Sequence, residues 1–289
     1  MQSFFQSVIG EVFGVEPNES IPVHHVGGGC INQTGYFEFE SQRYFLKWNE
    51  GVGDLFEKES RGLQLLGDAG VIKVPRVIGL GEVEGINYLC LEYLEPGRSS
   101  LRFWERFGEQ LAGLHRNSSD QFGLDHDNHI GRLPQSNQWH SSWVDFFIKE
   151  RLEPQLDMAS GSGLVSARIR SQFDKLYNIL PDLVPEEAPA LLHGDLWSGN
   201  MMAAKGEVPA IFDPAVYYGH REAEMAFTKM FGGFDQQFYQ SYHSSFPLQP
   251  GYEKRVQIFN LYPLLVHVNL FGSSYLSGIQ QTLNYFTSD

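Results

Sequence analysis

The stretch His193-Gly194-Asp195-Leu196-Trp197-Ser198-Gly199-Asn200 sets an asparagine five positions after an aspartate, and a second aspartate follows in Ile211-Phe212-Asp213-Pro214. These residue types suit phosphoryl transfer. That reaction needs little covalent help from the protein; it needs the acceptor hydroxyl held in line and the charge on the phosphates neutralised. Asp195 is the candidate base for the acceptor hydroxyl. Asn200 and Asp213 offer the hard oxygen ligands that Mg²⁺ requires. Alone, Asp-x4-Asn also describes a polar turn with a capping aspartate and a structural asparagine. The hairpin predicted over residues 201–213, with Lys205-Gly206 as its turn, and the second aspartate at its end favour the catalytic reading.

Further candidates lie upstream. Gly27-Gly28-Gly29 ends the first predicted strand, and Asn32 and Gly35 precede the second. Glycine lets main-chain N–H groups approach phosphates without side-chain obstruction, although the same run would serve an ordinary hairpin turn. No G-x-x-x-x-G-K-[ST] occurs, which argues against a P-loop. Lys47, in Tyr44-Phe45-Leu46-Lys47-Trp48, either points to solvent or faces a cleft. Glu59, on the apolar face of the next predicted helix, gives it a partner, and a Lys–Glu pair would set the ammonium on the α- and β-phosphates of ATP. Glu92-Tyr93-Leu94 stands where main-chain groups would meet adenine, a role that position alone suggests.

The elements that must carry these residues divide the chain. Residues 21–26, 36–39, 44–48, 77–80 and 87–92 read as strands, with residues 41–43 linking a hairpin. Residues 54–67 read as a helix with Asp54 as N-cap and Phe56, Glu59, Leu63 and Leu66 on one face. Phe4, Phe5, Val8, Ile9, Val12 and Phe13 share a face of an N-terminal helix. Glu95-Pro96-Gly97 breaks the pattern. Helical periodicity then covers 101–117, 139–156, 165–180, 222–231, 236–244 and 252–277, interrupted by loop and short-hairpin character over 191–213. The expected order is a strand-rich lobe over residues 1–94 and a helix-rich lobe over 95–289.

Composition agrees. A chain of 289 residues suggests two lobes around a shared cleft. The hydrophobic share of 42% and charged share of 19% are those of an ordinary globular protein. A formal net charge of −14 excludes nucleic acid and anionic lipid as expected partners. Residues 261–272 are too short and polar to span a bilayer. The N-terminus is a poor signal peptide. Two cysteines, Cys30 and Cys90, make no disulfide framework and fit a reducing cytoplasm.

Together these residues resemble the protein-kinase-like fold, with His193-Gly194-Asp195 in place of His-Arg-Asp and Asp213-Pro214-Ala215 in place of Asp-Phe-Gly. The 192–200 loop and the 213–224 run, Asp213-Pro214-Ala215-Val216-Tyr217-Tyr218-Gly219-His220-Arg221-Glu222-Ala223-Glu224, resemble the fructosamine kinase signature. So do Gly27-Gly28-Gly29-Cys30-Ile31-Asn32, Asp127-Asn128 with Ile130-Gly131, and Pro134-Gln135-x-Asn137 with Trp139 and Trp143. The resemblance runs from about residue 21 to 272.

It implies an α+β, two-lobed protein-kinase-like fold and ATP- and Mg²⁺-dependent phosphorylation of the sugar 3-hydroxyl of a ketosamine, in a deglycation role. By position it makes Asp195 the base, Asn200 and Asp213 the metal ligands, and Lys47 with Glu59 the phosphate-positioning pair. Trp197 suits the acceptor pocket, since an indole face packs against a sugar and a cationic amine, or else it is a core aromatic. His267, on a late helix, lines the same pocket or is a satisfied core histidine. Cys30 is a small loop residue or a redox-active thiol that links two copies, so a monomer or a redox-linked homodimer is expected. Cys90 is read as packed. An aminoglycoside or choline phosphotransferase and a nucleotide-binding pseudokinase are the competing readings. Trp197-Ser198 and the 217–224 run count against the first, and the filled Lys47, Asp195 and Asp213 positions against the second.

Overall fold

A computed structural model describes residues 1–15, 21–27, 32–51 and 53–288. Gly28, Gly29 and Cys30 lie outside these residues. From the N-terminus come α1 (Gln2–Phe13), β1 (His24–His25), β2 (Gln33–Phe39), β3 (Gln42–Glu50), α2 (Leu55–Asp68), β4 (Val77–Val83) and β5 (Ile86–Glu92). Next are α3 (Leu101–Leu114), the pair β6 (Asn128–Ile130) and β7 (Leu133–Gln135), α4 (Trp143–Phe146), a π-helical turn (Phe147–Leu152), α5 (Glu153–Gly161) and α6 (Ala167–Leu183). Then follow β8 (Ala190–Leu192), β9 (Met201–Ala204), β10 (Val208–Ile211) and β11 (Tyr217–Gly219). The helices α7 (Arg221–Phe227), α8 (Gln236–Ser245), α9 (Tyr252–Phe259) and α10 (Leu261–Phe271), a 3₁₀ turn (Ser273–Tyr275) and α11 (Leu276–Thr287) complete the described chain. Strands dominate its first third and helices the rest, the expected α+β order. No helix among the described residues is long and apolar enough to cross a membrane.

The chain packs as two compact units, residues 1–104 with 199–214, and residues 105–198 with 215–289. The first is built on an antiparallel sheet of order β1-β2-β3-β5-β4. Its β2–β3 turn is the pair Glu40–Ser41, both at positive φ (50° and 62°), because Phe39 pairs with Gln42. That two-residue geometry matches the twist of the flanking strands. Strand alternation gives β3 two jobs. Leu46 and Trp48 face a core shared with Phe4, Phe5, Val8 and Ile9 of α1, where each fully buried side chain contributes roughly 1.5–3 kcal/mol. Lys47 points to the opposite face, toward α2. Cys90 is packed in the α1 core, where burial pushes its thiol up to about 12.

Glu95-Pro96-Gly97, read from sequence as a break, is stitched to β9: Gly97 N–H donates to Ala203 O at 2.7 Å and Lys205 N–H to Glu95 O at 2.7 Å. A Cβ on Gly97 would lie 2.2 Å from Ala204 O, so the approach needs glycine.

In the second unit β8 pairs with β11, Leu192 opposite Tyr217. The expected helix over 139–156 starts at Trp143. Residues 139–142 cannot join it, because His140 exchanges main-chain hydrogen bonds with Phe122, and Ser142 Oγ accepts from Asp145 N–H as a cap. The expected helix over 252–277 is broken twice. Pro263 has no N–H to give Phe259 but fits the first turn of α10, and Gly272 ends that helix at φ 94°.

Candidate active site

In the first unit, Lys47 is 3% exposed, and its Nζ donates to Glu59 Oε1 at 2.7 Å, Glu59 Oε2 at 2.9 Å and Asp213 Oδ1 at 2.6 Å. Glu59 reaches it because Phe56, Glu59, Leu63 and Leu66 lie on the buried face of α2, as their spacing predicted. Asp213 follows the β9–β10 hairpin. Phe212 N–H donates to Asn200 O at 3.0 Å, which holds the buried Asn200 beside the exit of β10. Asp213 itself has φ 57°, a left-handed conformation uncommon for a residue other than glycine. Backbone of this kind persists where its surroundings over-determine it, often at functional sites.

One ammonium here faces two carboxylates, so with both ionised the trio is short of one positive charge. Burial alone would push the Lys47 ammonium down, but Asp213 and Glu59 more than offset this and raise it. Burial, reinforced by the charge of Asp213, raises Glu59 despite its bond to Lys47. Asp213 is the accessible member, its side chain 44% exposed against 9% for Glu59. A cation would relieve that deficit at Asp213 first, a carboxylate is a hard oxygen donor of the kind Mg²⁺ takes, and the Phe212–Asn200 main-chain bond keeps Asn200, a residue with another hard oxygen, beside the same segment. Among the described residues, no group of three or more His, Cys, Asp or Glu side chains forms a metal cage. A site with so few protein oxygens would leave room for phosphate and water oxygens, the usual mode for Mg²⁺.

The other upstream candidates are distributed around the same sheet. Asn32 Oδ1 accepts from Asn49 Nδ2 at 2.7 Å. The Glu92 carboxylate is gripped by Lys73 Nζ at 2.8 Å, and its N–H donates to Arg76 O, so that donor is already committed. Burial opposes ionisation of Glu92, but Lys73 and Arg76 hold it below the usual carboxylate range. Tyr93 packs on Tyr36 with ring centroids 5.2 Å apart. Gly27 lies two residues beyond β1.

Asp195 belongs to the second unit, on the loop leaving β8. Its N–H donates to His193 Nδ1 at 3.3 Å. Gly194 has φ 84°, and a Cβ there would lie 2.0 Å from Ala215 O, while Ala215 N–H donates to His193 O at 2.9 Å. Beneath the loop Glu224 of α7 accepts from Gly194 N–H at 2.7 Å, His193 N–H at 3.3 Å and His115 Nε2 at 2.9 Å. His115 Nδ1 meets Tyr242 Oη at 2.7 Å. Burial would push Glu224 up, but its bond to His115, the nearby imidazoles of His115 and His193, and Gly194 N–H hold it below the ordinary range. Glu224 is a site residue that sequence reasoning noted only as part of a run. Its signal was a carboxylate followed directly by Met225-Ala226-Phe227, a position that must bury it.

A pocket opens at Asp195, walled by Tyr217, Phe227, Tyr262 and His267. His267 Nδ1 donates to Pro263 O at 2.7 Å, and burial lowers its pKa, so Nε2 is unprotonated at neutral pH. Trp197 stands one ring away, edge-on to Phe231 at 6.0 Å. Behind the wall, Tyr262 Oη donates to Gln135 Oε1 at 2.5 Å, and Gln135 Nε2 donates to Asn128 Oδ1 and Ala215 O. Arg151, buried in the π-helical turn, donates to Asn137 Oδ1 at 2.7 Å and lies 4.0 Å over the Tyr217 ring. The asparagines and glutamine quoted from sequence as a signature thus brace the pocket wall.

The fructosamine kinase family profile matches residues 3–288. A protein of Synechocystis sp., provisionally named a ketoamine kinase, is 42% identical over 95% of this chain and 91% of its own. Mouse ketosamine-3-kinase is 37% identical over 87% of this chain and 90% of its own. A crystal structure from Haemophilus somnus 129PT, provisionally named a fructosamine-3-kinase, is 31% identical with a TM-score of 0.87, covering 99% of this chain and 98% of that one. The aminoglycoside phosphotransferase APH(4)-Ia is 15% identical with a TM-score of 0.68, covering 100% of both chains, a likeness of fold alone. The fold is therefore protein-kinase-like, and the chain belongs to the fructosamine kinase family, whose members are phosphotransferases.

Proposed function

We propose that the chain transfers the γ-phosphoryl group of ATP to the sugar 3-hydroxyl of a ketosamine and so serves deglycation. Family membership supports the acceptor class, and the grip of Glu59 and Asp213 on the buried Lys47 carries the kinase reading. In this reading residues 1–94 serve the nucleotide and residues 95–289 the chemistry and the acceptor. Lys47, oriented by Glu59, binds the α- and β-phosphates. Gly27, Gly28, Gly29 and Asn32 approach the phosphates, and the main chain of Glu92, Tyr93 and Leu94 serves adenine. Asn200 and Asp213 hold Mg²⁺, which when bound neutralises charge on the β- and γ-phosphates. Asp195 orients the acceptor hydroxyl and accepts its proton at a carboxylate oxygen. Trp197 packs on the sugar, and His267 Nε2 accepts a hydrogen bond from it. The setting is the cytoplasm, where Cys30 and Cys90 stay reduced unless Cys30 links two copies.

Asp195→Asn tests the central assignment. Turnover of a fructosyl or ribulosyl amine should fall at least about 10³-fold while ATP affinity stays within about twofold, because the base does not hold nucleotide. Retention of more than a tenth of wild-type turnover would remove Asp195 from the mechanism.

A further inference from the structure

Phe231 lies between α7 and α8 and is 43% exposed, yet its backbone sits at φ 53°. A bulky aromatic in the left-handed region is an outlier, and burial does not explain it. The ring's contacts lead to the Asp195 pocket. It lies 4.8 Å from the ring of His267 and 6.3 Å from that of Phe227, both of which wall the pocket. The aromatic surface continues outward from there. Phe271, one helical turn beyond His267, is 53% exposed, and the Tyr275 ring lies 5.0 Å from His267 and 6.4 Å from Phe271. Rings on three segments, the α7–α8 connection, α10 and the 3₁₀ turn after it, thus form a ledge that starts at the pocket wall and ends in solvent.

We infer that this ledge of Phe231, Phe271 and Tyr275 receives the amine-bearing side of the acceptor, so that the enzyme prefers ketosamines whose amine carries an aromatic or long aliphatic group. The inference rests on the kinase reading above and extends it to the substituent. A ketosamine has its sugar hydroxyls at one end and a secondary ammonium at the other. With the sugar at Asp195, the opposite end leaves the pocket where the rings stand. Aromatic faces attract an ammonium and bury an apolar substituent, and a substituent of glycine size reaches too little of the ledge to gain from it.

The test is kcat/KM for fructosyl adducts of glycine, leucine and phenylalanine, read by ADP release with wild-type enzyme and with the Phe231→Ala/Phe271→Ala variant. Both side chains are about half exposed, so the variant should fold, which a thermal melt checks. Wild type should favour the phenylalanine adduct over the glycine adduct by about tenfold, a factor that one well-placed aromatic contact supplies. In the variant that ratio should fall to within about twofold of unity. Equal kcat/KM across the series in wild type, or a ratio unchanged in the variant, overturns the ledge and leaves the kinase reading standing. Absence of turnover with every fructosyl adduct and with the matching ribulosyl adducts overturns the kinase reading, and the ledge with it.

Discussion

Replacing Glu224 should uncouple the Asp195 loop from the helix that holds it. In Glu224→Ala the main-chain N–H groups of Gly194 and His193 and the His115 Nε2–H lose their buried acceptor. An unpaired buried donor costs about 1–3 kcal/mol, the long His193 bond being the weakest, while removing a buried carboxylate returns part of the loss. The expected destabilisation is about 3–5 kcal/mol, a large share of the roughly 5–15 kcal/mol that a typical domain has. Glu224→Gln is milder. Its amide oxygen still accepts from Gly194, and its NH₂ can donate to His115 Nε2 if that ring moves its proton to Nδ1 and gives it to Tyr242 Oη. Only the His193 N–H is then poorly served, a cost of about 1 kcal/mol. Catalysis should suffer more than stability in this variant, because a displaced loop carries Asp195 with it. Misplacement by about 1 Å costs on the order of 10²-fold. In a coupled ADP-release assay kcat for Glu224→Gln should drop about 10–100-fold. The KM for ATP should hold, since the hold on Lys47 is made by Glu59 and Asp213. A kcat within twofold of wild type in Glu224→Gln, or an unchanged melting temperature in Glu224→Ala, would refute the reasoning.

Further perturbations separate charge from packing. Lys47→Met leaves Glu59 and Asp213 without their cation and should cost about 3–5 kcal/mol as well as turnover; adding Glu59→Gln should restore most of the melting temperature but none of the activity. Asp213→Ala should abolish Mg²⁺-dependent transfer, checked by titrating the metal in the coupled assay, while Lys47 keeps Glu59 as partner and the melting temperature falls less than in Lys47→Met. Lowering the pH should destabilise the fold below about 6.5. Burial lowers His220 from its ordinary value, and its Nδ1 must stay unprotonated to accept from Glu222 N–H as the cap of α7. The unfolded chain therefore takes up a proton first, so stability is full above about 6.5 and is lost as the pH falls through the lowered value. Thermal melts between pH 8 and 5 check this, and a melting temperature that rises toward pH 5 would contradict it. Gly194→Ala should fail to form the loop, because its Cβ meets Ala215 O at 2.0 Å; near-normal turnover in that variant would mean that the loop tolerates another path.

What could be read from sequence was the part set by periodicity and residue chemistry. The Glu59 face of α2 and the placement of Lys47 on β3 follow from 3.6- and 2-residue repeats, and both side chains meet as those repeats require. Local pattern could not show where tertiary bonds override propensity. The segment 139–142 has helical periodicity, but its main chain pairs with Phe122. The turn at Glu40–Ser41 contains neither Asn nor Gly, so nothing in the residues announced two positive φ values. The role of Glu224 depends on Gly194, thirty positions earlier, and that of Arg151 on a π-helical turn that no sequence period marks. Ring contacts such as that of Phe231 with His267 arise only when the α7–α8 connection and α10 are brought together.

The most direct check of the central claim is ³¹P NMR of the products formed from ATP, Mg²⁺ and synthetic fructosyl- and ribulosyl-lysine. A new phosphomonoester signal coupled to the proton on the sugar C3 carbon, absent without Mg²⁺ and absent with Asp195→Asn, is the predicted result. Phosphorylation of choline or kanamycin with no phosphomonoester on either sugar adduct would contradict it.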